Sequence, residues 1–273
     1  MAERDIVVAP GASDALAAKL IEQAGFSAVY CTGGGISRGR GFPDLGYTTL
    51  TEVVERIGNM TEVCPLPMIV DVDAGFGNVL TLQRAIRLLE RVGAAGVHVE
   101  DMEVPHRRKQ ARDNIIDSGE MAERIRAAMA ARSDPDFLII GRTDCLPTQG
   151  LQEAILRGRR YAEAGADMVY VEFLTNRKEV EAVAREIDAP KLISLNKGEN
   201  ELIPASELAQ MGFKLLTLPA ELQLASIYAM RAMLTHIKRH GTSAGFDAMV
   251  SFPDRNRLVE TDVHKSIEQQ FLP

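Results

Sequence analysis

Residues 90–101 of the chain have the sequence ERVGAAGVHVED, in which the end of a helix, a glycine and a short apolar strand follow one another. The glycine stands where the C-terminus of a helix favours a positive φ angle, and the strand begins within a few residues of it. The same order recurs in three other segments, EQAGFSAVYCTG (22–33), AEAGADMVYVEF (162–173) and AQMGFKLLTLPA (209–220). The chain is therefore predicted to alternate helices and strands in a repeating unit.

Further apolar runs lie between these copies and bring the expected number of strands to eight. They are IVVAP (6–10), PMIVDVD (67–73), FLIIGRTD (137–144) and KLISLN (191–196). Nearly continuous apolar strands separated by amphipathic helices indicate a parallel sheet covered by helices, and eight such units in roughly 250 residues favour a (β/α)8 TIM barrel. A doubly wound open sheet is the alternative.

The chain is predicted to consist of a barrel and a C-terminal arm. No linker and no change in composition occurs before about residue 241. Residues 241–273 then contain a loop and a further amphipathic helix, which a barrel does not need. We therefore expect an α/β barrel over residues 1–240 and a helical arm over residues 241–273 that packs on a partner subunit.

The composition excludes several classes of partner. A net charge of −7 argues against a general nucleic-acid or anionic-membrane binder, so a small molecule is the expected partner. No stretch approaches the roughly 20 apolar residues of a membrane span, and MAERDIVVAPG lacks the features of a signal peptide. The protein is expected to be cytoplasmic, with its three cysteines reduced.

Polar residues are concentrated at the expected C-terminal ends of the strands, where TIM barrels carry their chemistry. These residues are Tyr30, Thr32, Asp71, Asp73, His98, Glu100, Arg142, Asp144, Glu172 and Asn196. Asp71 and Asp73 are two positions apart, a spacing that on a strand directs both carboxylates to one face. Two like charges so close need a proton, a cationic partner or a metal.

A divalent metal is the interpretation that explains these carboxylates together. Asp71, Asp73 and Glu100 come from adjacent strands and offer only oxygen donors, which suits Mg²⁺, or Mn²⁺ as an alternative. The competing interpretation is that each carboxylate pairs with a nearby arginine. His98 is expected to face the same side as Glu100, either supporting the site or satisfied within the core.

The glycine-rich stretch TGGGISRGRGFPDLG (32–46) has neither the P-loop pattern nor the GxGxxG spacing. We expect a substrate loop that carries Asp44 and whose backbone N–H groups, with Arg142, bind a carboxylate. An ion pair between Arg142 and Asp144 is the alternative role of this arginine.

The chain resembles the isocitrate lyase / phosphoenolpyruvate mutase superfamily over nearly its whole length. The resemblance rests on PGASDALAAKLIEQAGFSAVYCTGGG, FPDLGYTTLTEV, VDVDAGFGN, GVHVED, IIGRTD and VSFPDRN, in the family's order and spacing. It implies a (β/α)8 barrel, commonly a homotetramer that exchanges a C-terminal helix between subunits, and a Mg²⁺ ion that binds a 2-oxo or 2-hydroxy acid.

The resemblance also implies roles for individual residues. It assigns the metal, held mostly through water, to Asp44, Asp71, Asp73 and Glu100. It assigns substrate contacts to Thr32, Gly33, Gly34, Glu172 and Asn196, and it places Tyr30 and Arg142 in the catalytic group.

The chain departs from the family in one loop. Methylisocitrate-type and dimethylmalate-type lyases carry a cysteine there, within Lys-Lys/Arg-Cys-Gly-His, and this thiol protonates the enolate. This chain has HRRKQ at residues 106–110 and no thiol. His106 and Arg108 become catalytic candidates that act on an anionic substrate, and a solvated basic turn balanced by Asp113 and Asp117 is the alternative.

These features predict a Mg²⁺-dependent carbon–carbon lyase that acts on a small 2-oxo or 2-hydroxy carboxylate through an enolate. The activity expected is that of an oxaloacetate decarboxylase or of a methylisocitrate or dimethylmalate lyase, and decarboxylation is affected least by the missing thiol because water can supply its proton. A phosphonopyruvate-type mutase or hydrolase is the alternative enzyme. A non-catalytic carboxylate-binding barrel is the alternative of another class.

Overall fold

Eight parallel strands form a closed barrel in chain order, β1 to β8, with β8 paired to β1. The computed structural model describes residues 6–103 and 114–272. The strands are β1 (Val7–Ala12), β2 (Val29–Cys31), β3 (Met68–Asp71), β4 (Gly96–Glu100), β5 (Leu138–Thr143), β6 (Met168–Val171), β7 (Lys191–Ser194) and β8 (Phe213–Leu218). The predicted TIM barrel is confirmed, and the open sheet is not.

Helices follow the strands and cover the outside of the barrel. The helices in the described ranges are α1 (Ala15–Gln23), α2 (Gly33–Gly39), α3 (Leu50–Thr61), α4 (Val79–Arg91), α5 (Ser118–Met129), α6 (Leu146–Glu163), α7 (Arg177–Glu186), α8 (Ala205–Gln210), α9 (Glu221–His240), α10 (Phe252–Leu258) and α11 (Thr261–Phe271). The repeated glycines Gly25, Gly93, Gly165 and Gly212 have φ angles of 83°, 88°, 103° and 91°, directly after the helix C-caps. The sequence pattern therefore located these four helix ends correctly.

The hydrophobic core has two main parts, one on each side of the strands. A large cluster lies between the strands and the surrounding helices. A smaller cluster, which includes Tyr30, Ile140, Tyr170 and Leu215, fills the inside of the barrel. Because side chains alternate along a strand, the residues two positions further on continue inward and line the C-terminal mouth.

Two local expectations are wrong. Residues 33–39 of the glycine-rich stretch form helix α2 rather than a loop, because the Thr32 side chain caps the helix by accepting a hydrogen bond from the Gly35 N–H at 3.1 Å. Strand β3 ends at Asp71, so Asp73 is not on the strand. Asp73 has a φ angle of 47° in the turn that follows, which changes the direction in which its side chain leaves the backbone.

The chain contains two compact units, Met1–Gln223 and Leu224–Pro273. The second unit holds most of α9 together with α10 and α11. Several of its large apolar side chains are exposed, among them Tyr228, Leu234, Val250 and Phe271. None of the helices in the described ranges combines the length and the hydrophobicity that a membrane-spanning segment needs. The cysteines Cys31, Cys64 and Cys145 are free and buried.

Candidate active site

Tyr30, Asp71 and His98 meet inside the barrel mouth on three neighbouring strands. The Tyr30 hydroxyl lies 2.8 Å from His98 Nε2 and 3.5 Å from Asp71 Oδ2, and its ring stacks on the imidazole. Burial lowers the pKa of His98 to about 4, so the imidazole is neutral at pH 7. Burial and Asp71 raise the pKa of Tyr30, so its hydroxyl keeps its proton.

The Asp71 carboxylate is held in its ionised form. Burial favours the acid, but His98, which is protonated below about pH 4, acts with Arg142 and the backbone N–H groups of Asp73 and Gly33 to outweigh it, and the pKa of Asp71 is lowered. The Asp73 N–H donates to Asp71 Oδ1 at 3.0 Å. Asp71 therefore presents a charged carboxylate with a fixed orientation to the mouth.

The turn after β3 is braced by β4. The Asp73 carbonyl accepts a hydrogen bond from the Glu100 N–H at 3.0 Å, and the His98 carbonyl accepts one from the Val72 N–H at 3.3 Å. These bonds stabilise the positive φ angle of Asp73, a conformation that non-glycine residues rarely adopt. Asp73 and Glu100 are thereby placed side by side at the rim.

Arg142 is the cationic side chain on the inner face of β5. Its Nε and Nη2 donate to the two carboxylate oxygens of Asp144 at 2.6 and 2.9 Å, and Nη2 lies 3.5 Å from Glu100 Oε2. Its guanidinium carbon lies 5.3 Å from the centroid of the Tyr170 ring. The Arg142–Asp144 pair that the sequence suggested as an alternative is present, and it orients the guanidinium beside Glu100.

Gly33 and Gly34 bring the start of α2 against two of the predicted metal-binding aspartates. A Cβ atom on Gly33 would lie 3.0 Å from Asp71 Oδ2, and one on Gly34 would lie 2.7 Å from both Asp44 Oδ2 and Arg38 Nη1. Side chains at these positions would therefore collide with the carboxylates. The glycines allow Asp44 and Asp71 to approach the same short stretch of backbone.

Glu172 follows β6, and the pKa of its carboxyl group is raised. Its pKa is raised to about 7, chiefly by burial and further by Asp144, Asp71 and Glu100, while Arg142 opposes the shift. Its Oε2 atom is buried and has no hydrogen-bond partner among the described residues. Near pH 7 this side chain is therefore available both as a hydrogen-bond donor and as an acceptor.

Two neutral side chains complete the opposite wall of the mouth. The Asn196 N–H donates to Asn200 Oδ1 at 2.7 Å, whereas Asn196 Oδ1 is buried without a partner in the described structure. Thr217, on the inner face of β8, is 1% exposed, and its hydroxyl also lacks a described partner. Sequence reasoning missed Thr217, although a hydroxyl inside the apolar run KLLTL was the available signal.

The structure thus groups Tyr30, Asp71, Glu100 and Arg142 closely, with Gly33 against Asp71. The loop residues His106 and Arg108 lie outside the described ranges, and their roles stay predictions. Among the described residues, no three His, Cys, Asp or Glu side chains converge as a direct metal ligand set. The arrangement offers hard oxygen atoms and one oriented guanidinium to an anionic ligand.

The sequence matches the phosphoenolpyruvate phosphomutase family over residues 1–238. The chain belongs to this family. It is 35% identical over 275 residues to 2,3-dimethylmalate lyase of Eubacterium barkeri, covering 99% of this chain and 95% of that protein. It is 36% identical over 266 residues to 2-methylisocitrate lyase of Salmonella typhimurium (strain LT2), covering 95% of this chain and 89% of the relative.

Solved structures of the superfamily share the whole architecture. An oxaloacetate acetylhydrolase in complex with oxalate superposes with a TM-score of 0.88 at 28% identity, over 98% of this chain and 93% of the other. A phosphonopyruvate hydrolase in complex with oxalate and Mg²⁺ superposes with a TM-score of 0.90 at 25% identity, over 99% and 95%. The predicted superfamily and the predicted class, a carbon–carbon lyase, are confirmed at the level of the family.

Proposed function

We propose that the barrel mouth binds Mg²⁺ together with a small 2-oxo or 2-hydroxy acid, and that the enzyme breaks a carbon–carbon bond of this acid through an enolate. The observation that supports this proposal is the charge inside the mouth. The described inward-facing residues that end β3 to β6 include the carboxyl groups of Asp71, Glu100, Asp144 and Glu172 and a single guanidinium, that of Arg142. Buried carboxylates in excess of cations favour a bound cation or proton uptake.

The residues present fit Mg²⁺. Asp71 is ionised, Glu100 is buried, and both supply the hard oxygen atoms that this ion prefers. No three potential ligands converge directly in the described part of the chain, so we propose that Asp44, Asp71, Asp73 and Glu100 hold the ion largely through water. Mn²⁺ has the same ligand preference and is the expected substitute. When bound, the ion supplies electrostatic stabilisation of the enolate charge.

The side chains of the mouth then have separable tasks. Arg142 binds the substrate carboxylate, and Asp144 keeps the guanidinium in the required plane. Thr32, Gly33 and Gly34 present the start of α2 to the same carboxylate. The Tyr30 hydroxyl donates a hydrogen bond to the substrate from inside the barrel.

The far wall of the mouth suits the substituent at C3. Protonated Glu172 donates a hydrogen bond, and the oxygen atom Asn196 Oδ1 accepts one. These groups face the half of the substrate that leaves, and they exclude water from the bond that breaks.

The proton that returns to the enolate distinguishes the candidate reactions. This chain has no cysteine in the 104–113 segment, so a lyase of the dimethylmalate or methylisocitrate type would need another donor there, with His106 and Arg108 as the proposed groups. Oxaloacetate decarboxylation takes its proton from water and needs none of them. We therefore propose oxaloacetate as the first substrate.

We also propose that the enzyme is a homo-oligomer in which residues 241–273 contact a second copy of the chain. The exposed apolar side chains of α9 to α11 favour this interpretation, since Phe252 and Phe271 are 73% and 77% exposed. A tetramer and a cytoplasmic location stay predictions. Light scattering of a chain truncated at Gly241 tests the arm, because an unchanged assembly size would contradict it.

A substrate panel tests the proposed function. The enzyme is incubated with Mg²⁺ and with oxaloacetate, 2-methylisocitrate, 2,3-dimethylmalate or phosphonopyruvate, and pyruvate, glyoxylate, oxalate and phosphate are measured with and without chelator. Chelator-sensitive pyruvate release from oxaloacetate is expected. Phosphate release from phosphonopyruvate alone would support the alternative enzyme. The absence of turnover on every acid, with retained binding, would favour the non-catalytic barrel.

A further inference from the structure

Asp101 is a fully buried carboxylate outside the residues assigned to the site. It directly follows Glu100, and because side chains alternate, it points from the barrel toward α6 while Glu100 points into the mouth. Its oxygen atoms accept four hydrogen bonds. The donors are the Thr143 hydroxyl at 2.6 Å, the Asp144 N–H at 2.8 Å, the Tyr161 hydroxyl at 2.6 Å and Arg157 Nη1 at 3.1 Å.

Arg157 links Asp101 to Ile116, which follows residues 104–113 in the sequence. Its Nη1 also donates to the Ile116 carbonyl at 2.9 Å, and its Nε donates to Glu153 at 3.0 Å. The Asp101 carbonyl in turn accepts the Ile116 N–H at 3.0 Å. Asp101 therefore joins the end of β4, the end of β5 and residue 116 through one buried network.

This network includes the backbone of Asp144, the residue that orients Arg142. Asp101 Oδ1 fixes the backbone of Asp144, and the Asp144 carboxylate holds the Arg142 guanidinium at two points. A displacement of the Asp144 backbone would move both acceptor oxygens and turn the guanidinium that they hold. We propose that Asp101, held by Arg157, is a positioning residue for Arg142, an inference that rests on the proposed carboxylate-binding role of Arg142.

The donor pattern makes Asp101→Asn a sharp test. Both oxygens of Asp101 accept, three donors meeting Oδ2 and one meeting Oδ1. An asparagine has the same size, but its NH2 group must replace either Oδ1 or Oδ2. At that position two hydrogen-bond donors then face each other, and the hydrogen bonds made there are lost. Asp167→Asn is the matched control, because Asp167 also accepts from a β5 backbone N–H, that of Ile139 at 2.8 Å, and from Arg132 at 2.6 Å. It lies at the other end of the strand.

The experiment is calorimetric titration of Mg²⁺-loaded protein with oxalate, in the parent and in an Arg142→Lys background. We expect Asp101→Asn to weaken oxalate binding by about tenfold or more in the parent and by less than about threefold in the Arg142→Lys background. Asp167→Asn should change oxalate affinity by less than about twofold while it lowers the melting temperature.

If Asp101→Asn lowers oxalate affinity equally in both backgrounds, or does not lower it in the parent, the positioning role of Asp101 is overturned. An Arg142→Lys protein that binds oxalate like the parent would instead contradict the proposed function, and the inference with it. If Asp101→Asn does not fold by circular dichroism, Arg157→Lys replaces it, since this variant keeps Asp101 and its other donors. A loss of about three- to tenfold that disappears in the Arg142→Lys background is then expected, and an equal or absent loss refutes the inference.

Discussion

The two ends of the barrel differ in whether their buried polar groups have hydrogen-bond partners. At the N-terminal end, Lys191 Nζ donates to the carbonyls of Ile187 and Ala189 at 2.8 and 3.0 Å, and the half-buried Asp167 accepts from Arg132 and from the β5 backbone. At the C-terminal mouth, buried polar atoms of several side chains have no partner in the described part of the chain. These atoms are His98 Nδ1, Glu172 Oε2, Asn196 Oδ1 and Thr217 Oγ1.

This difference separates the requirements of stability from those of function. An unsatisfied buried polar atom costs about 1–3 kcal/mol, so a cluster of them lowers the stability of the folded chain. Lys191 and Asp167 at the N-terminal end avoid that cost, whereas the four atoms of the mouth that lack a described partner do not. We infer that the groups of the mouth are kept for a ligand, and that substitutions at the two ends change different quantities.

The largest effect is expected for Asp71→Ala at the mouth. Loss of the ionised carboxylate should lower kcat/KM at saturating Mg²⁺ by at least about 100-fold, which is about 2.7 kcal/mol in barrier. The melting temperature should change little, because the packed core is untouched. Steady-state kinetics and a thermal melt measure both, with the exposed Asp136→Asn near the start of β5 as control. Full turnover by Asp71→Ala after chelation and reloading with Mg²⁺ would show that Asp71 is not part of the site.

Glu172→Gln tests the mouth through the pH dependence of stability. The folded-state pKa of Glu172 is raised to about 7, so the folded chain binds more protons than the unfolded chain between roughly pH 4.5 and 7. The stability that Glu172 contributes is therefore complete below this window and is lost as the pH rises through it. Melting temperatures from pH 5 to 8 should decline less in Glu172→Gln than in the parent. Parallel curves would show that Glu172 is ionised throughout.

Thr217→Val should have a smaller effect on catalysis. The Thr217 hydroxyl is buried and has no partner among the described residues, so we expect it to bond to the ligand. Its removal should then lower kcat/KM by about three- to tenfold, the value of one neutral hydrogen bond. The melting temperature should stay constant or rise, since an unsatisfied polar atom disappears. A fall in melting temperature without a change in kinetics would place the Thr217 hydroxyl in the packing of the barrel instead.

Lys191→Met should leave catalysis unchanged. It removes the donor to one buried and one partly buried carbonyl at the N-terminal end, so a loss of about 1–3 kcal/mol in the free energy of unfolding is expected. Denaturant unfolding and kcat/KM measured on one preparation test this contrast. A change in kcat/KM comparable to that of Thr217→Val would erase the distinction between the two ends.

The sequence predicted the barrel because its signals were local and repeated. The glycine after each of four helices and the apolar run after it are visible without tertiary structure. The expected glycine loop failed because Thr32 caps α2, and glycines by themselves do not exclude a helix whose end is capped. The prediction that Asp71 and Asp73 share one face of a strand was wrong, because the chain turns after Asp71 and the Asp73 N–H donates to the Asp71 carboxylate.

The site was predicted only as far as charge made it conspicuous. Asp71, Glu100 and Arg142 stand out as charges in apolar strands. Thr217 did not stand out, because threonine is common in strands, and Asp101 was hidden beside Glu100. Their roles depend on which face of the strand they occupy and on partners distant in sequence, such as Arg157 for Asp101. Such partners become visible only in three dimensions.

The most direct test of the difference between the two ends is a Mn²⁺ titration followed by electron paramagnetic resonance, in which free Mn²⁺ is counted. The parent chain and Lys191→Met should each bind about one Mn²⁺ ion with the same affinity, whereas Asp71→Ala should bind it at least about tenfold more weakly. Mn²⁺ binding by Asp71→Ala that equals the parent's would contradict the assignment of the mouth as the metal and substrate site.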